Sequence, residues 1–261
     1  ATPDNGVATA IYAACKATVK VGDGKEITLH EETNYPFEEA IAFTVSTDEK
    51  VAFPFYLRIP SWTQKAEVRV NGKKVSVTPV AGKYLCINRE WANGDRVELT
   101  LPMSLSMRTW QVNKNSVSVD YGPLTLSLKI TEKYVEKDSR ETAIGDSKWQ
   151  KGADSKKWPT TEIYPDSPWN YSLVLDKKEP LKNFKVIRKS WPADNYPFTV
   201  VSVPLEVKAI GRPVPEWKID ETGLCGVLPE EDAVKGDKEE ITLIPMGAAR
   251  LRISAFPNTK E

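Results

Sequence analysis

The fold class follows from one stretch of the sequence, residues Phe53–Trp62 (FPFYLRIPSW). Its apolar residues stand at every second position and prolines lie near both of its ends, a pattern typical of a β-strand. Two further stretches, Val68–Val75 and Arg89–Met103, follow it and contain turn residues. We therefore predict three or four consecutive β-strands joined by tight turns.

The clearest local prediction is a hairpin at Asn71-Gly72. Asn and Gly tolerate the positive φ that both positions of a type I′ turn require. The register of such a turn places Val68 opposite Val75, so the apolar side chains share one face. It also places Arg69 opposite Lys74 on the other face, which must be solvated because like charges opposed to each other are unfavourable.

Further segments with the same alternation predict strands along most of the chain, with turn signals about every 8–12 residues, which is typical of a sandwich or barrel. The segments are Thr9–Val21, Ile27–Tyr35, Ala40–Ser46, Val51–Ile59, Tyr84–Trp91, Arg96–Leu101, Val117–Ile130, Asn170–Leu175, Phe184–Lys189, Phe198–Ile210, Glu240–Ile244 and Arg250–Phe256. We predict an all-β protein with two antiparallel β-sandwich domains, immunoglobulin-like or jelly-roll-like. The predicted bounds are 1–130 for the first sandwich, 131–168 for a polar connector or long loop, and 169–261 for the second sandwich.

The charge balance argues against nucleic acid and membrane partners. The 261 residues contain 36 Lys+Arg and 36 Asp+Glu, a net charge of zero, whereas such partners require a field of one sign. No apolar run approaches the roughly 20 residues that span a bilayer. The chain starts at Ala1 without a signal segment, as a processed protein or a fragment does.

The three cysteines, Cys15, Cys86 and Cys225, are too few and too far apart for a disulfide framework or a zinc knuckle. Cys86 stands in an apolar segment, so we predict a buried free thiol. A pairing of Cys15 with either of the other two stays open at this point.

No catalytic or metal site is assigned from the residues. His30 is the only histidine, so a Ser-His-Asp or Cys-His arrangement would need it as base, but alternation places it on the polar face of its strand. The spacings of metal ligands and phosphate-binding loops are absent from the sequence. No carboxylate pair for glycoside hydrolysis stands out, and the cluster Glu230–Asp232 is predicted to be a solvated loop.

Four tryptophans are the candidate binding residues, because flat aromatic rings stack on the apolar faces of sugars. They are Trp110, Trp149, Trp158 and Trp169. Packing at an interface, including contact with another domain, is the alternative that we favour for them.

Several short motifs occur in the order and spacing of a known family. They are Thr33–Pro36, Leu57–Trp62, Val70–Lys73, Arg89–Trp91 with Gly94-Asp95, Leu99–Met103, Tyr121–Leu124, Ser167–Tyr171 and Ile241–Ser254. Together they resemble the two β-sandwiches that follow the catalytic barrel in β-L-arabinofuranosidase-type enzymes of glycoside hydrolase family 127 (GH127), which belong to the six-hairpin glycosidase superfamily.

The resemblance implies that the chemistry lies elsewhere. In this family an N-terminal (α/α)6 barrel holds a zinc-bound cysteine thiolate as nucleophile and a glutamate as acid/base. Cys15, Cys86 and Cys225 do not match that cluster, so we carry over no catalytic residue, expect no cofactor in this chain and expect zinc only in a barrel outside these residues.

We therefore predict the non-catalytic C-terminal β-sandwich portion of a β-L-arabinofuranosidase-like enzyme that degrades plant polysaccharides, which the resemblance places in the periplasm or outside the cell. Its main partner would be the barrel of the same polypeptide, with an oligosaccharide and a second copy of the chain as further partners. The alternatives are a carbohydrate-binding module and an immunoglobulin-like interaction domain.

Overall fold

The computed structural model describes residues 1–142, 154–221, 223–230 and 236–261, and strands dominate this part of the chain. The strands are β1 (Val7–Thr9), β2 (Cys15–Val21), β3 (Lys25–Thr33), β4 (Ala40–Ser46), β5 (Val51–Arg58), β6 (Glu67–Val70), β7 (Lys73–Lys74), β8 (Tyr84–Trp91), β9 (Arg96–Thr100), β10 (Leu105–Trp110), β11 (Ser116–Tyr121), β12 (Leu124–Leu128), β13 (Glu132–Lys137), β14 (Thr160–Pro165), β15 (Tyr171–Leu175), β16 (Lys185–Arg188), β17 (Leu205–Pro213), β18 (Glu239–Pro245) and β19 (Asn258–Lys260). The same residues contain a short helix, α1 (Ser139–Thr142), and a 3-10 turn at Met246–Ala248. The predicted all-β class is confirmed. The described helices are too short to cross a membrane.

The chain divides into two compact units. The first consists of Ala1–Ser106 and Tyr121–Leu124, and the second of Met107–Asp120 and Thr125–Glu261. The predicted domain bounds 1–130, 131–168 and 169–261 stay a prediction.

The first unit is a sandwich of two sheets. A three-stranded sheet has the order β1-β5-β8, and a six-stranded sheet has the order β2-β3-β4-β9-β6-β7. Their inward side chains form one core, in which the rings of Phe43 on β4 and Phe55 on β5 meet edge to face at 5.3 Å. Trp91 is fully buried, and its indole N–H donates to the carbonyl of Phe53 at 3.0 Å.

The turn at Asn71-Gly72 has the predicted geometry, with φ of 50° and 75° at its two residues. Arg69 pairs with Lys74 across β6 and β7, and the Val75 N–H donates to the Val68 carbonyl at 3.1 Å. Val68 is buried, whereas Arg69 and Lys74 are exposed. The predicted register is confirmed, because alternation and turn type demand the same pairing.

The second unit holds most of an eight-stranded sheet, in which β10-β11-β12-β18-β17-β15-β19 are neighbours in that order and β16 also pairs with β17. Its described pairings are antiparallel except that of β15 with β19, which is parallel. A separate two-stranded antiparallel sheet joins β13 to β14. This hairpin lies within the segment 131–168.

Three strand predictions need correction. The predicted strand Thr9–Val21 begins only at Cys15, and Thr9 instead ends β1. A turn at Gly122-Pro123 divides Val117–Ile130 into β11 and β12, since Gly122 has a φ of 55° that leaves the extended region. The predicted strand Phe198–Ile210 begins only at Leu205, directly after Pro204, which lacks the N–H that a strand ladder requires.

The predicted strand Arg250–Phe256 is wrong. The Leu128 N–H donates to the Ile253 carbonyl, and Phe256 forms a single bridge with Val117. The segment therefore crosses from β12 to β11 instead of running along one strand, which leaves no continuous ladder.

Candidate functional site

A cavity of about 350 Å³ lies in the second unit beside Trp169. Its walls come from the end of β14, from Ile219 and Gly223–Cys225, and from the segment 250–253, with Ile130 beyond the end of β12. Most of the side chains that line it are apolar, which is usual for a small-molecule pocket. Of the four tryptophans singled out in the sequence, Trp169 is the one found in this wall.

Trp169 is held in place by a second indole. The rings of Trp169 and Trp217 meet edge to face, with their centres 5.2 Å apart. Trp217 is only 4% exposed, and its N–H donates to the Gly226 carbonyl at 3.0 Å. An edge-to-face pair with one buried, hydrogen-bonded partner fixes the half-buried Trp169 as a rigid wall.

Hydrogen bonds connect Ile219 and Asp220 to Leu224 and Cys225 in this wall. Ile219 and Cys225 form an antiparallel bridge, and the Asp220 N–H donates to the Leu224 carbonyl at 2.7 Å. Asn170 anchors the start of this region, since its side-chain amide donates to the Trp217 carbonyl at 3.2 Å. The exposed Leu224 and Cys225 side chains are thereby presented at the cavity.

Two arginines in the segment 250–253 also line the cavity. Arg250 is neutralised, because its guanidinium lies 3.6 Å from the carboxylate of Glu132 and its backbone N–H donates to the same carboxylate at 3.0 Å. Arg252 donates through Nε to the Ala249 carbonyl at 2.7 Å and forms no ion pair within the described residues. The segment is anchored by Ile253, whose N–H donates to Ser127 Oγ at 3.0 Å.

The other candidate tryptophans lie in different surroundings. Trp110 is 41% exposed, its N–H donates to Ser118 Oγ at 2.8 Å, and the Arg108 guanidinium lies over its ring at 5.1 Å. Trp158 is 65% exposed, with the Lys157 ammonium over its ring at 5.7 Å. Trp149 lies outside the described residues. A role in sugar binding or in barrel contact stays a prediction for all four.

Sequence reasoning missed Arg250, Arg252 and Cys225 as cavity residues. Arg250 and Arg252 alternate with apolar neighbours, and this pattern predicts a strand instead of a cavity wall. Nothing in the local pattern relates these residues to Trp169, since the segments meet only through the fold.

Residues 6–103 match the family model described as "Beta-L-arabinofuranosidase, GH127 middle domain". This part of the chain is similar to the middle domains of GH127 enzymes. The resemblance seen in the sequence motifs is thus confirmed for the first unit. No curated protein is similar enough in sequence to match the chain.

Solved structures extend the likeness in fold over nearly the whole chain. Ara127N, a GH127 β-L-arabinofuranosidase from Geobacillus stearothermophilus T6, has a TM-score of 0.62 and 21% identity over 99% of this chain and 34% of its own. A GH127 β-arabinofuranosidase has a TM-score of 0.63 and 22% identity, covering 99% of this chain and 36% of its own. A protein described as a glycoside hydrolase has a TM-score of 0.61 and 22% identity, covering 98% of this chain and 36% of its own. The chain spans about a third of the length of these proteins.

A second cavity, of about 460 Å³, is a groove on the outer face of the six-stranded sheet in the first unit. Small side chains of β4, Ala40 and Ala42, are part of its lining, and charged residues flank them. Arg96 pairs with Glu32 at 3.3 Å and with Glu98 at 3.4 Å. The lining holds four glutamates and two arginines, so these exposed ion pairs leave an excess of negative charge along the groove.

Glu31 is a buried acid of the first unit. It is 5% exposed on the core side of β3 and accepts a hydrogen bond from the Ala13 N–H at 3.0 Å, with Cys15 Sγ at 3.8 Å. Burial raises the pKa of Glu31 to about 7, although both contacts favour the ionised form. The arrangement pins the loop before β2 onto the sheet.

His30 and the three cysteines are the remaining titratable candidates. His30 is exposed on the outer face of β3, as the alternation predicts. All three cysteines are free thiols, and Cys86 is half-buried where a buried side chain was predicted. Across the described residues, no three His, Cys, Asp or Glu side chains converge as metal ligands would.

Proposed function

We propose that this chain is the non-catalytic β-sandwich portion of a GH127-type glycoside hydrolase, and that it supports an (α/α)6 catalytic barrel in the same polypeptide. The observation that carries the proposal is the match of residues 6–103 to the GH127 middle domain. A middle domain by its description stands beside other parts of a larger enzyme.

Two further observations support it. The chain corresponds to 34–36% of the length of the similar structures, so most of such a protein lies outside these residues. The fold is built from sheets whose inward faces pack a core, and the perturbed Glu31 serves to hold a loop rather than to line a cavity. Zinc and the nucleophile are therefore proposed for the barrel, with β-L-arabinofuranosides of plant polysaccharides as substrates.

The test compares the chain alone with the polypeptide that the same reading frame encodes. Both are assayed with p-nitrophenyl β-L-arabinofuranoside in the presence of zinc. We expect turnover by the longer protein and none by the chain, and we expect removal of residues 1–261 to lower the melting temperature of the barrel. Zinc-dependent release of arabinose by the chain alone, or a reading frame without a helical barrel, would refute the proposal.

Carbohydrate binding is a second candidate function, favoured by the exposure of the Trp158 ring. Calorimetric titration of the chain with arabinan oligosaccharides tests it, with Trp158→Ala as the variant and Trp110→Ala as the comparison. Heat of binding that is lost only in one variant would locate the stacking ring. The absence of binding at millimolar sugar would leave support of the barrel as the function.

A further inference from the structure

We propose that the cavity beside Trp169 is a binding site for a small organic anion with a flat apolar body, such as an aromatic monocarboxylate. This inference is independent of the proposed function. It concerns the second unit, whereas the family match covers residues 6–103.

The size and lining of the cavity match an apolar ring. Its volume of about 350 Å³ lies near the lower end of the ~300–1,000 Å³ that small-molecule pockets occupy. The Trp169 indole, fixed by Trp217, offers a flat wall, and Ile163 and Leu224 contribute aliphatic surface. A rigid aromatic wall favours a planar ligand because little side-chain entropy is lost on binding.

The charges of the lining favour a carboxylate over a sugar. The charged side chains that line the cavity are Arg250 and Arg252, with no carboxylate among the described lining residues. Guanidinium groups only donate hydrogen bonds, so they match a group that only accepts, whereas sugar hydroxyls also need acceptors. The Tyr164 hydroxyl donates its proton to the Glu162 carboxylate, so this lining residue adds no further donor to the cavity.

Arg252 is the recognition residue in this proposal. Arg250 is already neutralised by Glu132, whereas Arg252 uses Nε for the Ala249 carbonyl and forms no ion pair in the described part of the chain. Its terminal N–H groups therefore remain for an anion at the rim of an apolar pocket. Charge-assisted bonds of this kind are the stronger ones in proteins.

The experiment is a calorimetric titration of the full chain with trans-cinnamate. Cinnamyl alcohol serves as the neutral analogue and methyl β-L-arabinofuranoside as the sugar. We expect cinnamate to bind with a dissociation constant on the order of 1 mM, as the small size of the ligand allows. The Arg252→Gln variant should bind it about tenfold more weakly because a charge-assisted hydrogen bond becomes a neutral one.

Matched variants separate recognition from folding. Arg252→Lys keeps the charge and should retain most of the binding. Arg58→Gln is the control, because Arg58 is also exposed, donates to a backbone carbonyl and forms no ion pair in the described residues, but lies in the first unit. It should bind cinnamate as the unmodified chain does.

A thiol footprint gives a second readout. Cys225 lines the cavity and is exposed, and Cys15 is an exposed free thiol in the other unit. Cinnamate should slow the alkylation of Cys225 by iodoacetamide several-fold and leave that of Cys15 unchanged, as measured by mass spectrometry of the peptides.

The proposal is overturned if cinnamate gives no saturable heat up to its solubility limit, or if Arg252→Gln binds it as well as the unmodified chain. Equal binding of cinnamyl alcohol would remove the role of the arginine. Protection of Cys225 by the arabinoside in preference to cinnamate would make the cavity a sugar site. Protection of Cys225 without ligand in the longer polypeptide would show that another segment of the protein fills it.

Discussion

Glu31 makes the stability of the protein depend on pH. Burial raises its pKa to about 7 in the folded chain, above the ordinary value near 4.5. The folded state therefore favours the protonated form, and the stabilisation present below pH 4.5 is lost as the pH rises through 7. Glu31→Gln should raise the free energy of unfolding by ~1–2 kcal/mol at pH 8 and leave it nearly unchanged at pH 4. Urea denaturation at both pH values measures this.

The neighbouring residue provides the control for this prediction. Glu32 lies on the outer face of the same strand, is exposed and pairs with Arg96. Glu32→Gln should therefore show no comparable gain at pH 8. An equal gain in the two variants would attribute the effect to net charge rather than to burial.

Asp95 makes the stability depend on pH in the opposite direction to Glu31. Burial opposes its ionisation, but hydrogen bonds from the Ala92 N–H at 3.0 Å and the Asn71 side chain at 2.7 Å, with the Arg89 guanidinium at 3.5 Å, lower its pKa. Its stabilisation is present above the unfolded pKa and is lost as the pH falls through the folded pKa. Asp95→Ala should cost about 1–3 kcal/mol at pH 7 and much less in acid. Asp48→Ala, in an exposed turn, should cost little in the same denaturation series.

The hairpin turn between β6 and β7 depends on its glycine. Gly72 has a φ of 75°, and an added Cβ would meet no atom within 4 Å, so the cost of a side chain there is conformational alone. Gly72→Ala should lower the free energy of unfolding by ~1 kcal/mol. Gly247 also has open space around a Cβ, but its φ lies outside the left-handed region, so Gly247→Ala should be nearly neutral. Similar losses in both variants would contradict the conformational explanation.

At the scale of the whole molecule, a substitution in the core of the first unit should destabilise that unit and leave the second unit nearly unchanged. Phe43 is 1% exposed and packs edge to face on Phe55. Phe43→Ala should cost ~3–5 kcal/mol, because it removes buried surface and leaves a cavity. Since contacts divide the chain into two units, we expect faster hydrogen exchange in β4 and β5 with little change in β17 and β18.

Thr44→Ala is the control on the same strand, because Thr44 faces outward and should cost under about 1 kcal/mol. If Phe43→Ala accelerated exchange equally in β17 and β18, the two units would unfold as one cooperative structure. Mass spectrometry of exchanged peptides distinguishes the two results.

Short-range patterns in the sequence determined the strands of the first unit. β4, β5 and the turn at Asn71-Gly72 follow from alternation and turn chemistry, which act between near neighbours. The same motifs carried the resemblance to GH127, which the match of residues 6–103 confirms. The segment Arg250–Phe256 also alternates. Its backbone groups, however, form hydrogen bonds with residues more than a hundred positions away, and rules based on near neighbours cannot predict such partners.

Only the tertiary structure decided where a ligand site lies. The sequence indicates Trp110, Trp149, Trp158 and Trp169 as candidate binding residues because of their flat rings. It does not indicate which of the four lines a cavity. The fold places Trp169, Arg252 and Cys225, which are far apart along the chain, in the walls of one cavity. A pocket depends on which surfaces meet and on which charges stay unpaired there, and both are consequences of packing rather than of spacing in the sequence.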